Sequence, residues 1–161
     1  MVLELSLPPE YISGFVDGEG CFALKYRVDR KFDAAGNLIR QYHYWNAEFA
    51  IVLHASDAAL LRRIQSHLRV GRISFGKSRN QVRYSVQGTR ELKTIIVPFF
   101  EQFPLYGEKR KDFLLWAEAV RLLYEHQNTA MVGKERPMAE ITKARLEDLK
   151  VRTDAHKRKT D

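Results

Sequence analysis

The stretch that most constrains this chain is residues 11–20, Tyr-Ile-Ser-Gly-Phe-Val-Asp-Gly-Glu-Gly. Pro8 and Pro9 suit a first helical turn, whose amides have no intrahelical partner, and Ser6 is placed to cap it. A helix from about residue 8 turns Tyr11, Ile12, Phe15 and Val16 toward a core. Gly14 and Gly18 stand four apart and share a face with no side chain. Each glycine costs a helix interior about 1 kcal/mol relative to alanine. Two in one short helix point to a second backbone in very close approach, as at small-xxx-small contacts. Gly20 fits the C-terminal stop. Glu19 then lies at the end where helix carbonyls point outward, with no cation beside it in sequence. A carboxylate there is unfavourable unless a cation joins it.

Two hairpins follow. In residues 21–32, Phe22, Leu24, Tyr26 and Val28 share one face while Lys25, Arg27, Asp29 and Lys31 share the other, the period of a half-buried strand. Residues 33–37 are a turn with Gly36 supplying a positive φ. Residues 38–54 alternate again, Ile39, Trp45, Ala47, Phe49, Ile51 and Leu53 inward, Arg40, Tyr42, Tyr44, Asn46 and Glu48 outward. Ser56 can cap a helix to about Arg69, with Leu60, Leu61, Ile64 and Leu68 at helical spacing. In the second hairpin Ile73, Phe75, Val82, Tyr84 and Val86 face inward, and Arg72, Ser74, Gln81, Arg83, Ser85 and Gln87 face outward. Its turn, Gly76 to Asn80, carries Lys77 and Arg79. Thr89 starts a third helix, with Leu92, Ile95 and Ile96, that ends or kinks near Pro98. A helix from about Glu108 to Gln127, a linker from Asn128 to Pro137 and a final helix from about Met138 to Val151 complete the chain, with Thr153–Asp161 expected to fray. The order α-β-β-α-β-β-α plus C-terminal helices is an α+β fold around a four-stranded antiparallel, saddle-like sheet. The 161 residues make a single domain, core about 8–127, with no internal repeat.

The net charge of +7 favours a polyanionic partner. The outward faces of both hairpins concentrate it in Lys25, Arg27, Lys31, Arg40, Arg72, Lys77, Arg79 and Arg83, interleaved with Asp29, Tyr42, Tyr44, Asn46, Glu48, Ser74, Gln81, Ser85 and Gln87. Such a face is most often simply solvated. Arginine, glutamine and asparagine, however, are the side chains that bond base edges bidentately in the major groove, which a two-stranded ribbon fits. Lys134 and Arg136 in the linker add two more phosphate-holding cations. The five histidines lie on different elements with no paired spacing, which argues against zinc. No P-loop, dinucleotide-binding glycine pattern or Ser/His/Asp pattern occurs. No apolar run is long enough to span a membrane, and the N-terminus lacks a signal-peptide pattern. The one cysteine, Cys21, cannot form an intrachain disulfide and is expected to be a small buried hydrophobe. A reducing compartment fits, either a bacterial cytoplasm or an organelle of a eukaryote.

Residues 12–20 resemble the signature segment of the LAGLIDADG homing endonuclease family. Gly14, Asp17 and Gly20 match the signature, Ile12, Phe15 and Val16 are apolar where it is apolar, and Ser13 and Gly18 are small where it is small. Glu19 stands in place of the second aspartate. The likeness extends over about residues 8–127, through Phe49-Ala50-Ile51-Val52-Leu53, Val70-Gly71-Arg72-Ile73 and Phe103-Pro104-Leu105 followed by Lys109-Arg110-Lys111-Asp112-Phe113.

The resemblance implies a homodimer, since there is one signature helix per chain. Ser13, Gly14, Asp17 and Gly18 would lie at the two-fold contact, with Asp17 capping or hydrogen-bonding the partner helix. Two Glu19 carboxylates would then meet beneath the helices, where divalent metal relieves their repulsion. It implies Mg²⁺ as the metal, with Mn²⁺ or Ca²⁺ able to substitute for binding. Glu19 would be the ligand, the Gly18 carbonyl a second ligand, and Lys109 the basic residue that stabilises charge at the scissile phosphate, with Lys111 in reserve. The family's small dimeric members often carry a solvent-positioning glutamine where this chain has Leu53. The implied activity is site-specific cleavage of double-stranded DNA at a long pseudo-palindromic target. An RNA-binding maturase acting on intron RNA and a DNA-binding regulator without catalysis remain the alternatives.

Overall fold

Helix α1 (Pro9–Glu19) passes directly into strand β1 (Gly20–Phe32) in a computed structural model of the chain, which describes residues 6–77, 80–129 and 138–160. Gly20 has an ordinary extended backbone, φ −79° and ψ 161°, so no positive φ calls for glycine here. Space does. A Cβ at Gly20 would lie 2.5 Å from Val16 Cγ1 and 2.9 Å from the Val16 carbonyl oxygen. At the other end, Pro8 is the N-cap and its carbonyl accepts from the Tyr11 and Ile12 amides at 3.1 and 3.3 Å. No side chain caps this helix, so the cap expected of Ser6 does not form.

Strand β1 pairs antiparallel with β2 (Leu38–His54), and β3 (Arg72–Phe75) with β4 (Gln81–Val86). The β2–β4 pairing joins the hairpins into one sheet of order β1-β2-β4-β3. A short 3₁₀ turn (Ala55–Asp57) leads to α2 (Ala58–Leu68), which ends at Arg69 in the left-handed conformation, φ 58°. The 3₁₀ turn is capped by His54, whose Nδ1 accepts from the Ser56 amide at 3.2 Å. Helices α3 (Thr89–Glu91) and α4 (Val97–Gln102) are one continuous rod, joined by a π turn over Leu92–Ile96. The kink expected at Pro98 is thus taken up by widening the turn before it, where the proline ring would crowd the Thr94 carbonyl.

All the helices cover one face of the sheet. Ile12 and Val16 from α1, Leu61 and Ile64 from α2, Phe100 from α4 and Trp116 from α5 (Lys109–Thr129) share a core with the inward strand residues. Phe22 is its centre, with ring centroids of Phe49, Phe100, Phe113 and Trp116 between 5.0 and 5.5 Å away. Burying one such aromatic contributes on the order of 2–3 kcal/mol.

Several expectations change. The described helices leave the outer part of the first hairpin uncovered, so Tyr26, Val28 and Ile39 are exposed despite their inward parity, as is Phe75. Cys21 is exposed, because its parity is that of Lys25 and not that of Phe22. The C-terminus does not fray at Thr153. Helix α6 (Glu140–Thr160) continues, with Leu146, Leu149 and Thr153 buried against the core.

Gly20→Ala is expected to lower unfolding free energy by about 1–3 kcal/mol, because the new methyl meets a backbone carbonyl that cannot swing aside. Urea denaturation measures it; a change within about 0.5 kcal/mol, as at an unconstrained surface site, would contradict the close approach.

Candidate nuclease site and DNA-binding face

Two regions carry functional chemistry, and α1 and the sheet position them separately. The first is the C-terminal end of α1. Glu19 is exposed there, and Lys109, the first residue of α5, donates from Nζ to the Gly18 carbonyl oxygen at 3.3 Å. The cation that the helix end lacks in sequence is therefore supplied from 91 residues away. An exposed carboxylate and a helix-terminal carbonyl are hard oxygen donors of the kind Mg²⁺ takes. The carbonyl's contact with an ammonium indicates that it attracts positive charge. Among the described residues no group of three or more His, Cys, Asp or Glu is placed to hold a metal.

Gly14 and Gly18 present a bare helix face, with nothing within 4 Å of where a Cβ would stand on either. Among the described residues, none makes the close approach they call for. Ser13 does not share that face. It is 4% exposed, and its hydroxyl donates to the Phe103 carbonyl at 2.6 Å, so its expected place at the helix–helix contact is corrected to an internal one. Asp17 is likewise engaged within the chain. Its carboxylate accepts from the Tyr106 amide at 2.8 Å and the Gly107 amide at 3.1 Å, which ties the loop before Lys109 to α1. Its expected role toward a partner helix gives way to this tether.

The second region is the sheet face away from the helices. Registered pairs Lys25 with Asn46, Arg27 with Tyr44, Asp29 with Tyr42, Lys31 with Arg40, and Ser74 with Arg83 put the expected residues of all four strands on that one face. Arg72 sits opposite Ser85, and Gln81 opposite His54, on the same side. The Arg40 guanidinium lies 4.9 Å from the Tyr42 ring centroid. Hydrogen bonding to Asp29, then desolvation, raise the Tyr44 phenol above its ordinary value, so Tyr44 remains neutral. Asn46 Oδ1 is buried without a protein partner, which makes it an acceptor for water. Lys77 is exposed in the second turn. Arg79, Lys134 and Arg136 lie outside the described residues.

Glu48 departs from expectation. It has the outward parity, but at 3% exposure it lies beneath its neighbours and cannot reach a ligand. It accepts from Arg83, from Gln87 Nε2 at 2.5 Å and, at 3.7 Å, pairs with Lys25. One carboxylate from β2 therefore orients side chains from β1, β4 and the residue after β4. Parity showed which way Glu48 points, but partners 35 and 39 residues distant decide that it is covered.

The LAGLIDADG endonuclease family model matches residues 12–120. The chain belongs to the LAGLIDADG family. Among its relatives, the protein named "Probable intron-encoded endonuclease 2" of Neurospora crassa is 31% identical over 128 residues, 79% of this chain and 27% of that protein. The fold is that of LAGLIDADG meganucleases. I-SmaMI, solved bound to its uncleaved DNA target with calcium ions, superposes with a TM-score of 0.75 at 23% identity, covering 92% of this chain and 45% of the other. I-AabMI, solved bound to uncleaved DNA, gives 0.67 at 29% identity over 89% of this chain and 44% of the other. This LAGLIDADG chain thus spans about a quarter of that curated relative and less than half of either solved structure. No helix of its described residues is long and apolar enough to cross a membrane.

Glu48→Ala is expected to lower stability by about 1–3 kcal/mol, since Gln87 and the half-exposed Arg83 lose a shared acceptor. In a double-mutant cycle with Arg83→Ala the two losses should fall short of additive by about 0.5 kcal/mol or more, whereas strict additivity would deny that the pair is coupled.

Proposed function

We propose that this chain is a site-specific, metal-dependent endonuclease that cuts double-stranded DNA as a homodimer. The observation that carries it is the bare Gly14/Gly18 face of α1, open to solvent, with an exposed carboxylate at the end of the same helix. Pairing that face with its symmetry mate satisfies the close approach the glycines call for and brings two Glu19 side chains together. A two-fold dimer in turn asks for a pseudo-palindromic target whose half-sites meet the two sheets.

Glu19 and the Gly18 carbonyl are the proposed ligands of Mg²⁺, with Mn²⁺ or Ca²⁺ able to substitute for binding. When bound, the metal supplies a water of lowered pKa and neutralises charge on the phosphate and the leaving oxygen. The chain's own residues do the rest. Lys109 moves from the Gly18 carbonyl to the scissile phosphate and balances the charge that builds on it. Leu53 offers no hydrogen bond to solvent, so it cannot orient the attacking water. Arg83 and Gln87, fixed by Glu48, are the base-reading pair on β4 and just beyond it. Lys25, Arg27, Lys31 and Arg40 hold phosphates along the first hairpin. Cys21 is exposed, with no cysteine to pair with, which suits a reducing compartment.

Glu19→Gln keeps the size of the side chain and removes its charge. DNA binding in Ca²⁺ should persist, because the sheet makes it. Cleavage in Mg²⁺ should fall by about 10²-fold or more, measured under single-turnover conditions on a duplex selected from a random library. Wild-type cutting by this variant would overturn the assignment. Loss of folding instead would make Glu19 structural and favour a binding protein without catalysis.

A further inference from the structure

The C-terminal end of α6 contacts residues that neighbour Lys109 on α5 and follow Glu19 on β1, and nothing in the assignment of Glu19 and Lys109 requires it to. His156 reaches across to the start of α5. Its Nδ1 is 2.6 Å from Asp112 Oδ1, and its Nε2 is 3.1 Å from Glu108 Oε2. Those two carboxylates flank Lys109, one residue before it and three after. The His156 side chain is 15% exposed and that of Asp112 9%, so their contact is largely shielded from water, whereas Glu108 is 65% exposed. The next residue, Lys157, donates from Nζ to the Phe22 carbonyl at 2.6 Å, three residues past Glu19 on β1. From the other side, Asp17 holds the Tyr106 and Gly107 amides. The backbone of Lys109 is thus clamped between α1 and α6, which leaves its side-chain torsions as the main freedom.

We propose that His156 is a positioning residue for the nuclease reaction, bridging Glu108 and Asp112 so that the first turn of α5 keeps the Lys109 ammonium within reach of the scissile phosphate beside the Gly18–Glu19 helix end. The inference rests on Lys109 acting in cleavage. Without the bridge, Glu108 and Asp112 stand as two like charges four apart on one turn. Lys111, already 3.2 Å from the same Glu108 oxygen, then draws that carboxylate away. An ammonium displaced by about 1 Å from a phosphate can cost on the order of 100-fold in rate. Bridging two carboxylates needs a donor on each ring nitrogen, and only the imidazolium has both. The hydrogen bond to Glu108, then that to Asp112, raise the His156 pKa above its ordinary value. A raised folded-state pKa means the bridge is complete below the unfolded value, about 6.5, and is lost as pH climbs through the folded one. The charged groups facing His156 are Glu108 and Asp112 on α5, with Lys111 sharing Glu108; Lys157 beside it is engaged with β1.

The test compares wild type, His156→Gln, His156→Arg, Lys109→Met and the double variant His156→Gln/Lys109→Met. Affinity is measured in Ca²⁺ and single-turnover cleavage of bound duplex in Mg²⁺ between pH 6 and 9. At pH 6, His156→Gln should bind DNA within about twofold of wild type and cut about 10- to 100-fold more slowly. The deficit should shrink as pH rises past the His156 pKa. His156→Arg, a permanent cation with donors for both carboxylates, should restore cutting and abolish that pH dependence. In the Lys109→Met background, His156→Gln should add nothing. Slow cutting by Lys109→Met beside wild-type cutting by His156→Gln at pH 6 would overturn the bridge and leave the Lys109 assignment standing. Additive losses, or an arginine variant that binds but does not cut, would overturn it too. Wild-type cutting by Lys109→Met would overturn the Lys109 assignment and the bridge with it.

Discussion

Helix α1 and strand β1 share a junction with no spare residue, and the absence of a side chain at Gly20 is what lets the strand leave so close to the Val16 carbonyl. That junction fixes the distance between the two things this LAGLIDADG chain presents. On one side is the end of α1 with Glu19. On the other is the sheet, locked to the helices two residues later by Phe22 at the centre of the aromatic cluster. A longer linker would leave the carboxylate free to wander relative to the strands. Here the helix end is held at a set distance from the sheet face, so under the proposed function a DNA strand on the hairpins would meet Glu19 at a set position.

The sheet face shows a second economy. A face meant for a polyanion would gain attraction by carrying cations alone, yet it buries a carboxylate at its centre. Burying Glu48 costs several kcal/mol of solvation, offset by Arg83, Gln87 and Lys25 together. What it yields is order. Arginine and glutamine left to themselves lose rotamer freedom on binding, about 0.5–1.5 kcal/mol each. Held by Glu48 beforehand, they have already lost it. The net effect is a weaker electrostatic pull and a better-defined pattern of donors.

Much of this was legible in the sequence, and the limits have physical causes. Strand parity is local, so alternation alone put Lys25, Arg27, Arg40 and Arg83 on one face, as the register bears out. How far the core extends is not local. Tyr26 and Val28 alternate as buried residues do, yet the described helices leave both exposed. Asp17 was picked out by its place in the signature and Lys109 by the likeness of residues 103–113, but their partners lie 89 to 91 residues off, which no spacing rule reaches. Helix α6 hid for another reason. Its packed stripe runs Leu146, Leu149, Thr153, His156; Thr153 bonds back to the Leu149 carbonyl, and His156 looks like a solvated residue until Asp112 and Glu108 are seen beside it.

The central claim is that two bare helix faces meet and that each contributes one Glu19 to a double-strand cut. Mixed dimers test it most directly. Wild-type and Glu19→Gln subunits, co-expressed with different tags and combined in graded proportions, are assayed for linearisation of a supercoiled target in Mg²⁺. The expected result is cutting that falls with the square of the wild-type fraction, to about a quarter at equal mixing, with nicked circles accumulating from the mixed dimers. A fall in simple proportion, to about half at equal mixing with no nicked product, would mean that one subunit cuts both strands alone and would contradict the shared site.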